Sequence, residues 1–445
     1  MLPKGSVLFS SRAPIGYTAI ASQSVTTNQG FKSFIPATGV NSDYLYYWLT
    51  SAKPLAESLA SGTTFLEISG AKAALIPFPF APAAEQTRIV EKLEELLSGL
   101  DAGVAELKAA QKKLTQYRQS LLKAAVEGAL TADWRAAQGS GQPAGSAQSA
   151  ESGQALLARI LTERRSRWQA RQLAKFEAQG KPPPKDWQAK YPEPVAPDTA
   201  GLPALPLGWV WATVDQLAHV GTGVTPLRSK VAYFEEGTIP WVTSGALNSE
   251  TVTGAKEQVT ILAVQQCRLE LYPAGSLLLA MYGEGKTRGK CAELLIPATI
   301  NQAIAAIVLE PSAQGCKAYL KAFLLKSYEK MREQAVGGVQ PNLNLQIVKS
   351  ICFPLPPMAE QNEINQTLVE RFEQVNQQKT ALEISLKQSA AQRKNILKAA
   401  FSGQLVPQDP NDEPASALLA RIRAERAARE KIPKTRQPRV VKEST

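Results

Sequence analysis

The sequence predicts an α+β fold in which two mixed α/β globules, the first of them incomplete, are separated by two long helices that form an antiparallel coiled coil. Three observations lead to this prediction. The chain of 445 residues repeats itself at an offset of 275 residues, each copy contains a long apolar heptad pattern, and short apolar runs bounded by glycine and proline precede each heptad pattern. A chain of this length can form two or three domains, each with its own core.

The repeat is clearest at the two ends of the predicted long helices. The decapeptide LLKAAVEGAL begins at residue 121, and the related ILKAAFSGQL begins at residue 396. The same offset relates AEQTRIVEKL, from residue 84, to AEQNEINQTL, from residue 359, so the helix between these markers repeats without a gap. A proline-rich segment precedes both helices, and proline is tolerated in a first helical turn but ends a strand. A repeat of this length indicates duplicated domains rather than a solenoid.

The globules ahead of the two helices also correspond to each other. GSVLF, from residue 5, matches GSLLLA, from residue 275, and both are short apolar runs typical of strands. TTNQGF, from residue 26, matches TINQAI, from residue 299, and DYLYYWLTS, from residue 43, matches AYLKAFLLKS, from residue 318. After each long helix, ALLARILTERRSRW and ALLARIRAERAARE predict a short basic helix.

These correspondences divide the chain into six segments. We predict the second half of a first globule over residues 1–84, a first long helix over 85–130, a linker with a short basic helix over 131–206, a complete second globule over 207–357, a second long helix over 358–404, and a basic tail with a short helix over 405–445.

The long helices carry a seam suited to helix pairing. Apolar residues recur in steps of seven, and residues three positions further on, Gly103 and Tyr117 among them, complete a two-position seam. A helix this long cannot bury its seam inside one small globule, so we expect the two helices to pair with each other, antiparallel because the second globule lies between them in sequence. The predicted pairing residues are Leu93, Leu100, Leu107, Leu114 and Leu121 in the first helix and Leu368, Val375, Leu382 and Ile396 in the second.

Composition restricts the class of partner. The formal net charge is +11, which favours an anionic partner, with nucleic acid first. The four cysteines, Cys267, Cys291, Cys316 and Cys352, form no CxxC pair, so neither a zinc site nor a disulfide framework is indicated. The sequence has no apolar run long enough for a membrane helix and no signal peptide pattern, so we expect a cytoplasmic protein without a membrane partner.

Catalytic patterns are not found in the sequence. The single histidine, His219, lies in QLAHVGTG, which indicates the end of a strand or helix, and we expect it to be structural. GEGKTRGK, residues 283–290, contains Gly-Lys-Thr, but Ala280 stands where a phosphate-binding loop needs its first glycine. Methyltransferase tetrapeptides and nuclease-type carboxylate pairs are also lacking. We therefore predict no catalytic residue, no metal ligand, no cofactor and no small-molecule substrate.

One stretch of the second globule resembles a known family. LPLGW at residues 205–209, GTGVTP at 221–226 and IPWVTSGAL at 239–247 resemble the opening of a target-recognition domain in the specificity subunits of Type I restriction–modification enzymes. The resemblance continues over essentially the whole chain. In that family two recognition domains each read half of a bipartite double-stranded DNA target, and two long helices hold them apart. The helices also bind two methyltransferase subunits, and a restriction and translocase subunit joins the complex.

The resemblance implies a DNA-recognition subunit that does not itself catalyse methylation or cleavage, acting in DNA methylation and bacterial defence. Loops of the recognition domains are then the expected DNA contacts, with lysines on phosphates and arginines on phosphates or guanine edges. The candidate DNA-binding residues are Arg228, Lys230, Ser244, Tyr282, Lys286, Arg288 and Lys290 in the second globule and Arg12 in the first.

The first globule departs from the family pattern. Residues 1–84 match only the part of the second globule that begins near residue 272, and nothing in them matches LPLGW or IPWVTSGAL. A truncated sequence, a misassigned start codon or a natural deletion would produce this pattern. We expect residues 1–84 by themselves to form an incomplete, less stable recognition domain. Two alternatives remain open at this point: a coiled-coil assembly scaffold that no longer reads DNA, and a nucleotide-binding enzyme with a site at GEGKTRGK.

Overall fold

The computed structural model describes residues 1–12, 14–62, 66–140, 151–282, 287–336 and 343–430. The chain forms two compact units. Unit 1 comprises Met1–Lys112 and Gln378–Thr445, and unit 2 comprises Lys113–Gln377. Among the helices that the structure describes, none has the length and hydropathy needed to cross a membrane.

The elements follow one another along the chain in the order that the repeat predicts. The strands are β1 Val7–Phe9, β2 Thr18–Ile20, β3 Val210–Thr213, β4 Ala218–Thr222, β5 Ile239–Val242, β6 Thr251–Val252, β7 Glu257–Val259, β8 Leu277–Ala280, β9 Cys291–Leu294, β10 Thr299–Ile300, β11 Ile304–Leu309 and β12 Cys352–Leu355. The helices are α1 Ser42–Ser51, α2 Lys53–Leu59, α3 Gly70–Ala73, α4 Ala83–Val126, α5 Ala132–Ser140, α6 Gly153–Ala178, α7 Val214–Leu217, α8 Ile261–Cys267, α9 Lys317–Val336, α10 Leu345–Lys349, α11 Met358–Phe401 and α12 Ala415–Glu430.

The globule of unit 1 is built on the antiparallel pair β1 and β2, with Val7 opposite Ile20. Helix α1 begins after Asn41, whose side chain accepts hydrogen bonds from the first main-chain N–H groups of the helix. The apolar face of α1 and the inner side of the strands share one core. Its buried residues are Val7, Phe9, Ile15, Leu45, Leu49, Ala52, Ala56, Ile68, Ala73 and Ile76.

Unit 2 contains a five-stranded sheet in the order β4-β11-β8-β9-β6, a three-stranded sheet β10-β5-β7 and a strand pair β12-β3. The side chains of successive β8 residues lie on opposite faces of the large sheet, because side chains alternate along a strand. Leu277 and Leu279 pack in one apolar cluster, and Leu278 and Ala280 pack in another. The large sheet is therefore covered on both faces.

The repeat in the sequence is also a repeat in the structure, down to the strand register. In unit 2, Leu277 of β8 faces Ile307 of β11. In unit 1, Val7 of β1 faces Phe34 through an isolated bridge, at the position that the sequence repeat assigns to the same pair. Strands β1 and β2 therefore correspond to β8 and β9, and residues 31–35 correspond to β11.

Helices α4 and α11 are each 44 residues long, and they pair antiparallel within each unit. In unit 1, Leu93 and Leu97 share an apolar cluster with Leu397 and Ala400. In unit 2, residues near the end of α4 share a cluster with residues near the start of α11, namely Leu121, Leu122, Ile364 and Leu368. The predicted α+β fold with paired long helices is thus confirmed. Both helices end before the predicted limits because a glycine in the left-handed conformation follows each, Gly128 with φ +79° and Gly403 with φ +72°.

The predicted pairing residues are not equally buried. Leu93, Leu121, Leu368 and Val375 are buried, whereas Leu100, Leu107, Leu114, Leu382 and Ile396 are half-buried. The second seam position was predicted wrongly near the end of α4. Tyr117 is 44% exposed, and the guanidinium of Arg118 lies 4.7 Å from the ring centroid of Phe372 on α11. An undistorted helix drifts relative to a seven-residue repeat, which moves the contacting face by one position.

Candidate nucleic-acid interface

Arg228 is held in place by its own globule. Its guanidinium forms a bidentate ion pair with Glu257, in which Nη2 lies 3.0 Å from Oε1. The same guanidinium lies 5.0 Å from the ring centroids of both Phe234 and Trp241. The hydrogen bond lowers the pKa of Glu257 and raises the pKa of Arg228. Because 57% of the Arg228 side chain remains exposed, it presents a fixed positive charge at the surface.

Lys230 is fixed in a similar way next to Arg228. Its Nζ donates hydrogen bonds to the hydroxyl of Tyr233, at 3.1 Å, and to Oε1 of Gln266, at 2.7 Å. It also lies 4.3 Å from the centroid of the Tyr233 ring. Tyr233 and Trp241 belong to one small apolar cluster beside the three-stranded sheet. The two cations therefore cover the same aromatic cluster, in which each is stabilised by a ring face.

A second group of candidates in unit 2 consists of Lys290 and the short helix that begins at Ser244. Ser244 begins the short 3₁₀ helix Ser244–Asn248 that follows β5. Nζ of Lys290, just before β9, donates a hydrogen bond of 2.6 Å to Oδ1 of Asn248 at the end of that helix. The structure thus joins two segments that are far apart in sequence.

The remaining candidates of the β8–β9 connection differ in placement. Tyr282 is half-buried against the large apolar cluster, and this burial raises the pKa of its hydroxyl. Arg288 is half-buried, and its Nε has no hydrogen-bond partner in the part of the chain that the structure describes. Lys286 lies outside the described residues.

Arg12 is the candidate in unit 1, where it occupies the repeat position of Tyr282. It lines an open cleft of about 470 Å³ together with Ser10, Tyr17, Asn28 and Phe31. Asn28 begins a tight turn by accepting a hydrogen bond of 2.9 Å from the main-chain N–H of Gly30. The cleft combines a guanidinium, an amide and aromatic rings, which are groups that can contact phosphates and bases.

A buried polar junction in unit 2 was missed by the sequence analysis. The carboxylate of Glu360, in the first turn of α11, accepts hydrogen bonds from Nε1 of Trp209 at 2.7 Å and from the Thr131 hydroxyl at 2.6 Å. It also forms an ion pair with Arg135. Only 2% of the Glu360 side chain is exposed, so these donors replace water around the carboxylate.

This junction joins segments far apart along the chain. Arg135 donates a further hydrogen bond, of 2.6 Å, to the carbonyl of Gly128, at the turn after α4. The Trp209 of LPLGW and the glutamate of AEQ are both in segments that the sequence analysis singled out. Their pairing was not visible, because 151 positions separate Trp209 from Glu360.

The glycines of GTGVTP allow close packing. A Cβ added to Gly223 would lie 1.6 Å from the carbonyl oxygen of Ile300, and one added to Gly221 would lie 2.4 Å from the hydroxyl of Tyr272. Neither glycine has a positive φ angle. Glycine is needed at both positions because other atoms approach the main chain closely, not because of an unusual backbone conformation.

Groups capable of metal or nucleophilic chemistry are dispersed or buried. Within the described ranges, no three His, Cys, Asp or Glu residues are placed to hold a metal ion. All four cysteines are free, and burial raises the pKa of Cys291 to about 12 and that of Cys316 to about 11. The His219 side chain is 62% exposed on β4, with Nε2 3.8 Å from Oε1 of Glu270.

Comparison with known proteins gives the family. A family model described as the Type I restriction modification DNA specificity domain matches residues 1–109 and 206–388. This match covers more than half of the chain, including both globules and parts of both long helices. The chain belongs to this family of Type I specificity proteins.

Two specificity proteins illustrate the relationship. The Type I restriction enzyme MjaIX specificity subunit of Methanocaldococcus jannaschii is 25% identical over 384 residues, which are 85% of this chain and 74% of that protein. The Type I restriction enzyme EcoDI specificity subunit of Escherichia coli is 26% identical over 407 residues, which are 87% of this chain and 78% of that protein.

A solved structure shares the fold of this Type I specificity protein. It comes from a study titled "Structural basis underlying complex assembly and conformational transition of the type I R-M system". The alignment covers 91% of this chain and 83% of the other, with a TM-score of 0.61 and 16% identity. At this identity the likeness concerns the fold alone.

Proposed function

We propose that the chain is the DNA-recognition subunit of a Type I restriction–modification enzyme. The observation that carries this proposal is the family match over both globules and into both long helices. The second globule reads one half of a bipartite double-stranded DNA target, and the long helices bind methyltransferase subunits, which a restriction subunit joins. The chain recognises DNA and leaves the chemistry to these partners, and it acts in the cytoplasm, where the DNA is.

Charge and side-chain placement support DNA binding by unit 2. The net charge of +11 favours association with the phosphate backbone. Arg228 is exposed yet held by Glu257 and two aromatic rings, so it loses little side-chain entropy on binding a phosphate or a guanine edge. Lys290 and the Ser244–Asn248 helix form a second polar group in the same unit. These residues, with Tyr282, Lys286, Arg288 and Arg12, are the proposed DNA contacts.

The salt dependence of DNA binding tests the role of the β8–β9 connection. A complex of the full chain with its methyltransferase subunits is titrated with DNA at several salt concentrations. If Lys286 and Arg288 both contact phosphates, the double variant Lys286→Ala/Arg288→Ala should reduce the slope of log K against log salt by about two. The control is Lys181→Ala/Lys185→Ala, which removes two exposed charges from the linker of the same unit. An unchanged slope in the first variant would exclude this connection from the interface.

Methylation mapping tests sequence recognition itself. The reconstituted complex, supplied with a methyl donor and a library of DNA fragments, should methylate a defined sequence, and the chain alone should methylate nothing. Methylation that requires the chain but shows no sequence preference would indicate the scaffold alternative. Methyl incorporation or ATP turnover by the purified chain alone would contradict a non-catalytic role.

A further inference from the structure

The basic helix α6, which carries none of the proposed DNA contacts, lines a cleft of about 230 Å³ in unit 2. The lining includes Arg164, Trp168, Arg171, Tyr191, His219 and Glu310. His219 is near the start of β4, whereas Arg228 follows the end of that strand. The cleft is therefore a separate place on unit 2 from the loop that contains Arg228.

Guanidinium groups outnumber carboxylates at this cleft. Glu310, whose side chain is 11% exposed, forms ion pairs with both Arg164 and Arg167. Arg171 is exposed, and its Nε lies 3.5 Å from the carbonyl oxygen of Arg167. Arg171 forms no ion pair with a residue that the structure describes. Three guanidinium groups beside one carboxylate leave two positive charges, so the cleft is suited to an anion.

The cleft also includes a buried hydroxyl that lacks a partner. Tyr191 is 8% exposed, and its hydroxyl forms no hydrogen bond within the described part of the chain. Its ring packs edge-on against Trp168, with the ring centroids 5.3 Å apart. Burial raises the pKa of the hydroxyl, which therefore keeps its proton and can donate it to an acceptor. A buried hydroxyl is costly without a partner, and an anion in the cleft can provide one.

The size of the cleft and the variety of its donors indicate which anion fits. Gln172 of α6 and His219 of β4 add an amide and an imidazole to the lining, and 62% of the His219 side chain is exposed. Donors thus come from three segments, which suits the tetrahedral arrangement of phosphate oxygens better than a planar carboxylate. Sites for whole small molecules usually measure about 300–1,000 Å³. The smaller cleft is therefore suited to a single phosphate group rather than a complete cofactor.

The repeat indicates that these residues are not required for docking of the basic helix. Leu156 of α6 corresponds to Leu418 of α12, and both leucines are buried. Trp168, in contrast, corresponds to Glu430. The apolar anchor of the basic helix is therefore repeated, whereas the side chains that line the cleft are particular to α6.

We propose that the cleft between α6, Tyr191 and the start of β4 binds a phosphate group. The guanidinium of Arg171 pairs with the phosphate oxygens, the hydroxyl of Tyr191 donates a hydrogen bond to one of them, and the imidazole of His219 donates from the strand. The phosphate belongs to a small phosphate monoester or to the backbone of a nucleic acid, because both present the same oxygens to these donors. This site goes beyond the proposed recognition of a DNA half-site and does not depend on it.

Calorimetric titration of the full chain with inorganic phosphate, at constant ionic strength, tests the proposal. The wild-type chain should show saturable binding. Arg171→Ala should weaken it about tenfold and Tyr191→Phe about fivefold, because each removes a hydrogen bond to a charged group. Lys175→Ala is the matched control, since it removes an exposed positive charge from the same helix without changing the lining. It should change the affinity by no more than about twofold.

Urea unfolding without phosphate separates binding from folding. Tyr191→Phe should unfold at the same or a higher urea concentration, because it removes a buried hydroxyl that lacks a partner. Arg171→Ala should unfold like the wild-type chain, because the side chain is exposed and forms no ion pair with a described residue. A lower midpoint for Tyr191→Phe would show that the hydroxyl already has a partner in the free chain and would overturn the proposal.

Two further titrations identify the source of the phosphate, and either result supports the proposal. Competition between AMP and inorganic phosphate that is lost in Arg171→Ala identifies a monoester. A decrease of about one in the salt slope of binding to a DNA duplex, in the same variant, identifies a nucleic-acid backbone.

Three results would overturn the proposal. They are no saturable phosphate binding at millimolar concentration, equal losses for Lys175→Ala and Arg171→Ala, and tighter binding of acetate than of phosphate. Sequence-specific methylation by the complex is measured separately. Its absence would contradict the proposed function while leaving the phosphate titrations unaffected.

Discussion

At the residue scale, the buried carboxylate of Glu360 forms a polar junction in unit 2. Its carboxylate accepts hydrogen bonds from Trp209 and Thr131 and forms an ion pair with Arg135, so two separate segments, residues 131–135 and the segment of Trp209, meet at α11. A buried charge is stable only when such donors are all present. The start of α11 is thereby fixed relative to the turn after α4 and to the entry of the second globule.

Removing one donor from this junction should destabilise unit 2. We predict that Trp209→Phe lowers the free energy of unfolding by about 1.5–3 kcal/mol, because a hydrogen bond to a charged acceptor is lost in a buried place. Urea unfolding followed by circular dichroism measures the change. The control is Trp187→Phe, whose indole stacks on Trp168 and makes no hydrogen bond to a residue that the structure describes. Equal effects of the two substitutions would contradict this role of the Trp209 N–H.

Gly223 gives a second prediction at this scale. Gly223→Ala should destabilise the second globule by more than about 2 kcal/mol, because the new methyl group would overlap the Ile300 carbonyl and the main chain would have to move. Gly245→Ala is the matched control, since a Cβ there has no neighbour within 4 Å. The two unfolding midpoints are compared under the same conditions. A Gly223→Ala variant as stable as Gly245→Ala would show that the glycine is not required for close packing.

At the scale of the element, the long helices are stabilised by their pairing rather than by their own sequence. Isolated helices gain little from propensity alone in water, so an apolar seam buried against a partner determines whether they form. The seam is deepest at its ends, where Leu93 and Leu121 are buried, and shallower in the middle, where Leu107 is half-buried.

Two valines of α11 provide a direct test of the seam. Val375 is 6% exposed and Val369 is 57% exposed. We predict that Val375→Asp costs at least about 2–3 kcal/mol of unfolding free energy, because it places a carboxylate among apolar side chains. Val369→Asp should change stability by no more than about 0.5 kcal/mol. Chemical denaturation of both variants compares them directly, and similar losses would place the seam elsewhere on the helix.

At the scale of the whole molecule, the two units should differ in stability. Unit 2 has a five-stranded sheet covered on both faces, whereas the described part of unit 1 has a single pair of short strands, with isolated bridges to residues 31–34 along the other side of β1. Pairs of short strands are marginal without further packing. We expect amides of β1 and β2 to exchange at least about tenfold faster than those of β8 and β11. Hydrogen exchange with mass spectrometry on the full chain measures this, and equal protection would show that the small core of unit 1 is sufficient.

The sequence by itself determined the duplicated architecture. The 275-residue offset, the heptads and the glycine- and proline-bounded runs predicted α4, α11 and the strands before them, because these signals arise from local periodicity and turn chemistry. LPLGW and GTGVTP also gave the family resemblance. The residues that form the exact seam were harder to predict, as Tyr117 and Arg118 show. The contacting face of a helix can shift by one position while the sequence pattern stays the same.

Only the tertiary structure decided how the candidate site is arranged. In the folded chain, Arg228 pairs with Glu257 and contacts two aromatic rings, and Lys290 donates a hydrogen bond to Asn248. Hydrogen-bond donors surround the carboxylate of Glu360. These pairings join residues that are tens to hundreds of positions apart, and no local pattern encodes them. At Glu360 burial determines the partners, because a charge that is removed from water is stable only beside hydrogen-bond donors or an opposite charge, and the fold determines which residues lie there.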